Sequence, residues 1–143
     1  MTYGLLGSLD RYLGKWRESV EQLDLAMRLT AVNKPWYPTV KSCSLLIGER
    51  PEQAAALAES VLEYQPRNLE ALLVLASAQV ELGLRRRAAA TAESIRDQFA
   101  DLDVAEWLTR QPYQDAGVVQ HWSANLATLG LVDARPRDAL PGH

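Results

Sequence analysis

The sequence predicts an all-α, right-handed solenoid of helical hairpins: three repeats followed by a C-terminal capping helix pair. Three observations predict it. Gly14, Gly48 and Gly83 recur at spacings of 34 and 35 residues. A short polar turn and a helix-favouring run follow each of them, "KWRESVEQLDLAMRL", "ERPEQAAALAESVLEY" and "LRRRAAATAESIRDQF". Small residues fall on one face of those runs. A period of this length marks stacked supersecondary units, each too small to bury its apolar face alone.

The repeats span about 1–33, 34–68 and 69–100. In the third, the first helix is expected from about Leu69 to Leu82, with Leu72, Leu75, Ala76, Gln79 and Leu82 on one stripe. Pro66 ends the helix before it, because proline cannot continue the backbone ladder, and Asn68 is a candidate N-cap. Gly83 stands where a left-handed corner between antiparallel helices is needed, and Gly48 and Gly14 occupy the equivalent places. In the second helices Ala88 and Ala92 match Ala54 and Ala58, and Ser19 and Leu23. Positions four apart share a helix face, and small side chains there let a neighbouring helix approach closely. Ala26, Val61 and Ile95 continue the same stripe.

Beyond Phe99 the period lapses. "DLDVAEWLTRQP" reads as a short helix with Asp103 and Glu106 spaced as a capping box and Pro112 as terminator. A second helix places Val118, Val119, Trp122, Leu126 and Leu129 on one face, with Gly130 as its C-cap. This pair, 101–131, is expected to cover the open edge of the last repeat, with Tyr113 packed on that repeat and Asp115 in a first helical turn. Residues 132–143 read as a flexible tail.

At 143 residues with a net charge of −3, the chain is sized for one domain and lacks the basic surface of a nucleic-acid binder. No apolar run approaches the ~20 residues that span a bilayer, so a cytoplasmic chain is expected. Cys43 stands alone in an apolar stretch and reads as a buried structural thiol. Trp16, Trp36, Trp107 and Trp122 read as packing residues, and His121 and His143 suggest no metal pair. The motifs of phosphate-binding loops, serine hydrolases and zinc proteases are missing, so neither a catalytic residue nor a cofactor or metal is expected.

These units resemble tetratricopeptide repeats. Leu6, Gly7, Gly14, Trp16 and Ala26 match that pattern in the first unit, Gly48, Ala54 and Pro66 in the second, and Gly83 and Ala88 in the third. The second unit has one extra turn residue, and Ala31 and Ala100 stand where a closing proline is usual. The resemblance implies a protein-interaction module that binds through the face of its first helices. By repeat register that face is lined by Leu5, Ser8 and Tyr12, by Thr39, Ser42, Leu45 and Leu46, and by Leu73, Val74, Ser77 and Glu81. The family's carboxylate-gripping members carry lysines, asparagines and an arginine there, which this chain lacks. An apolar groove suits an amphipathic helix, a segment of the chain's own, or its C-terminal helices.

A second resemblance joins "PWY" at 35–37 to the C-terminal end. Trp107, Pro112, Tyr113, Asp115, Trp122, Gly130 and Leu131 are similar to the close of the tetratricopeptide region in bacterial class III adenylate or guanylate cyclases. It implies a regulatory region of a signalling protein whose catalytic domain lies upstream. The same ending on a transcriptional regulator is the alternative, and a stand-alone enzyme is the reading from another class. With Met1 inside the first helix, an uncovered N-terminal edge is expected to favour self-association.

Overall fold

The computed structural model describes residue 7 and residues 10–13, 15–29 and 36–132. Among them the regular structure is helical, without a strand. In chain order the helices are α1 (Trp16–Leu29), α2 (Trp36–Ile47), α3 (Pro51–Tyr64), α4 (Leu69–Glu81), α5 (Arg85–Gln98), α6 (Val104–Thr109) and α7 (Ala116–Ala127). A helical stretch at 10–12 precedes α1. Each helix from α1 to α5 packs on its neighbours in sequence, and the first helices α2 and α4 also lie against each other. That is a helical-hairpin repeat solenoid.

The small-residue stripes hold the stack together. Ser19, Leu23 and Ala26 on α1, Ala54, Ala58 and Val61 on α3, and Ala88, Ala92 and Ile95 on α5 are all buried. At those positions a larger side chain would push the facing helix away. α4 is the centre. Every residue from Ala71 to Gln79 is buried, as expected of a helix enclosed on all sides. Its start is fixed by Asn68, whose Oδ1 accepts from the Ala71 N–H at 3.0 Å. The Asn68 amide also donates to Thr39 Oγ1 at 2.9 Å, tying this corner to α2. Between α1 and α2, Lys41 meets Asp24 at 2.7 Å and the Ser19 and Ser44 hydroxyls share a 2.7 Å hydrogen bond.

The corners share one hydrogen-bond pattern but not one residue. After α4, Gly83 has φ +73°. Leu84 N–H bonds to Gln79 O at 2.9 Å, and Gly83 N–H to Val80 O at 3.1 Å. These two bonds satisfy carbonyls that the helix end leaves unpaired. After α2 the same pair recurs, from Arg50 N–H to Leu45 O at 2.9 Å and from Glu49 N–H to Leu46 O at 3.1 Å. The left-handed residue there is Glu49, at φ 59°, not Gly48. This corrects the expectation that Gly48 is a conformational corner. Its reason is steric: a Cβ on Gly48 would lie 2.2 Å from Cδ2 of Trp16, so the glycine makes room for the indole. The first corner has the six-residue bond from Lys15 N–H to Asp10 O at 2.9 Å, and Gly14 itself lies outside the described residues.

α6 and α7 follow as a pair. Asp103 caps α6 by accepting from Glu106 N–H at 3.0 Å, and the Glu106 carboxylate pairs with Arg110. Asp115 caps α7 by accepting from Gly117 N–H at 2.8 Å. Trp107 and Trp122 join the two helices edge to face at 5.9 Å.

Candidate functional site

α7 lies on the face made by the first helices. Trp122 is buried and donates its Nε1–H to Leu73 O at 3.2 Å. Asn125 Nδ2 donates to Ser77 Oγ at 2.7 Å, and His121 Nε2 meets the Glu81 carboxylate. Trp122 and Leu126, four apart, form the buried edge of α7, with Val119 and Leu129 half-buried beside them.

The turn before α7 reaches further back. Tyr113 stacks edge-on against Tyr12 at 4.9 Å, and its hydroxyl lies 2.9 Å from the Cys43 sulfur. Gln114 N–H donates to Tyr12 O at 3.0 Å. Tyr113 was expected on the last repeat and instead touches the first two. These contacts are made by the turn between α6 and α7, while α7 itself packs on α4 of the third repeat.

Below Tyr113 sits a buried polar cluster. Arg11 pairs with Glu70 at 2.6 Å across 59 residues of sequence, and its guanidinium lies 4.1 Å from the centre of the Tyr12 ring. Burial raises Glu70 above the ordinary carboxylate range, against the opposing pull of Arg11. Burial also pushes the Cys43 thiol up to about 12, helped by the Glu70 carboxylate and opposed by Arg11. Burial raises Tyr113 likewise. Cys43 is thus held as a neutral thiol at physiological pH, the reverse of an activated nucleophile. What the cluster can do is fasten the C-terminal turn to the first two repeats.

The expected groove residues fall into three groups. Thr39, Ser42, Leu45, Leu46, Leu73, Val74 and Ser77 are buried, several of them beneath α7 and its turn. Tyr12 and Glu81 are half-buried at opposite ends. Leu5 and Ser8 lie outside the described residues. Ser42 spends its hydroxyl on Thr39 O at 2.7 Å within its own helix. Arg11, Glu70 and Asn125 were missed by the sequence reading. A single charge in the first turn of an otherwise apolar helix, "LEALLVLA", was the one available signal for Glu70.

At the start of α7 a half-open cleft of about 290 Å³ is lined by Leu46, Ile47, Glu49, Asp115, Val118 and Trp122, among others. Trp16 packs beneath the guanidinium groups of Arg17 and Arg50, each 5.3 Å from its ring centre, and Trp36 meets Tyr37 edge-on at 4.5 Å. Among the described residues no helix is long and apolar enough to cross a membrane.

No curated protein and no solved structure matches the chain. Residues 45–109, from the end of α2 to the end of α6, match the tetratricopeptide repeat family, the one to which the recurring corners and small-residue stripes point.

Proposed function

We propose that the chain is a non-catalytic module for protein–protein contact, and that its partner groove is the face formed by the first helices. Tetratricopeptide repeats imply such a role, and 45–109 match them. The observation that carries the choice of face is its occupancy. The α4 side of this surface already receives a helix, α7, and the turn before α7 reaches Cys43 on α2. The groove comprises Tyr12, Thr39, Ser42, Leu46, Leu73, Val74, Ser77 and Glu81, with Leu5 and Ser8 completing it by register.

The finer reading is a cytoplasmic C-terminal regulatory region of a nucleotide-cyclase-like signalling protein. Its support is the resemblance carried by Trp107, Pro112, Tyr113, Asp115, Trp122, Gly130 and Leu131. In such a protein the module contacts its own upstream domain or a second copy through the N-terminal edge. Sedimentation at high concentration tests the self-association, and a strict monomer contradicts it.

Photo-cross-linking in cells tests the choice of face. A photoreactive residue at Gln120 or His121, exposed beside the groove, is expected to give discrete protein adducts. The same residue at Glu59 or Glu93, exposed on the second helices, is expected to give none. Adducts confined to the second helices overturn the assignment.

A further inference from the structure

We propose that α7 and its turn are an exchangeable occupant of the groove, and that the partner is an amphipathic helix that displaces them. That helix carries an aromatic residue with a hydrogen-bonding edge and an aliphatic residue four positions later, as Trp122 and Leu126 do. The inference rests on the groove assignment above and adds what the groove takes and how access to it is regulated.

Three observations carry it. First, the attachment is of a different kind from the rest of the fold. Hairpin neighbours interlock through stripes of fully buried small residues, whereas α7 commits only Trp122 and Leu126 to full burial. Beside half-buried Val119, the Tyr12–Tyr113 ring contact and the Gln114 N–H bond to Tyr12 O, its ties are single side-chain hydrogen bonds: Tyr113 to Cys43, Asn125 to Ser77, His121 to Glu81. Each such bond adds only ~0.5–1.5 kcal/mol net.

Second, polar atoms interrupt the otherwise apolar groove. Ser77 Oγ, the Glu81 carboxylate and the Cys43 sulfur all face the returning segment and are met there by side chains rather than by backbone. Third, the fit is incomplete. Arg11 Nε and Glu81 Oε2 are buried without a hydrogen-bond partner, one at each end of the groove. A segment that presents an acceptor at the Arg11 end and an additional donor at the Glu81 end satisfies both atoms, and α7 satisfies neither.

The consequence is a competition between occupants. A ligand for a site open only a fraction of the time binds with its affinity reduced by that fraction. Whatever loosens α7 therefore tightens the partner by the same factor.

The test uses the full chain and a fluorescent synthetic peptide of residues 111–131, with binding read by anisotropy. Trp122→Ala in the chain is expected to bind this peptide at least tenfold more tightly than wild type, and a peptide carrying the same substitution is expected not to bind. Cys43, the chain's single cysteine, reports the same event through alkylation. It should react faster in Trp122→Ala than in wild type and slow again when the peptide is added. Circular dichroism checks that the variant keeps its helices.

Should Trp122→Ala fail to fold, Asn125→Ala, which loses one hydrogen bond, is expected to gain severalfold in peptide affinity. A folded variant that binds the peptide no better than wild type overturns the proposal. So does a wild-type Cys43 that reacts only as fast as the whole chain unfolds. Groove adducts from Gln120 or His121 alongside either result leave the groove assignment standing and remove only the exchange. Adducts confined to Glu59 and Glu93 remove the assignment itself.

Discussion

The repeat stack from α2 to α5 and the returning segment from α6 to α7 are both helical, yet they are held by different physics. In the stack, alanines at four-residue spacing bring helix axes close, and α4 is buried over nine consecutive residues. The returning segment is held by four buried anchors, Val104, Leu108, Trp122 and Leu126, and by a few hydrogen bonds to the groove. Close packing over a long interface is cooperative and fails all at once. Attachment by a few anchors can release while the stack persists. The difference suits a scaffold that carries a removable cover.

Substitutions sharpen this contrast, and the largest effect is expected at the centre of the stack. Leu73→Ala empties a fully buried site in α4 and should cost about 4 kcal/mol, within the range for such truncations. Urea denaturation should show the whole transition moving to lower denaturant, because α4 touches both regions.

Glu70→Ala comes next. It leaves the guanidinium of Arg11, whose side chain is only 4% exposed, without the acceptor it donates to, and should cost about 3 kcal/mol. The variant should also change the pH dependence. Burial raises Glu70 in the fold, so the folded chain keeps this proton to higher pH than the unfolded chain does. The contribution is therefore full below the ordinary carboxylate value of 4.5 and declines as pH rises through the raised folded value. Wild type should show that decline in its urea midpoint, and Glu70→Ala should lack it.

Gly48→Ala should cost about 2 kcal/mol, because the added methyl group meets the Trp16 ring and forces it outward. Tryptophan fluorescence should report the shift. The smallest pair tests the corners. Gly83→Ala meets no atom within 4 Å but is strained at φ +73°, and should cost about 1 kcal/mol. Glu49→Gly relieves the same strain at φ 59° and should gain up to about 1 kcal/mol, read as a shift in thermal midpoint. Equal losses for both would contradict the shared corner geometry.

Much of this was legible in the sequence because repeats print their physics periodically. The stripes through Ala54, Ala58, Ala88 and Ala92, the Asn68 cap and the left-handed Gly83 all follow from local rules at a fixed spacing. Gly48 was misread because two different demands, a left-handed backbone and room for a neighbour's ring, select the same residue. Only the position of Trp16 separates them. The contact of Tyr113 with Tyr12 and Cys43 had no local signal, since nothing within α6 or α7 says how far back along the stack the chain returns. The pairing of Arg11 with Glu70 was invisible for the same reason: an ion pair across 59 residues leaves no period.

Native-state hydrogen exchange across α4 and α7 tests most directly whether scaffold and cover are separate. The amides of α7 should exchange through an opening of lower free energy than those of α4, with Ala71–Gln79 remaining protected while α7 is open. If the amides of both helices instead exchange at one common free energy, with no opening confined to α7, the two regions form one cooperative unit and the removable cover does not exist.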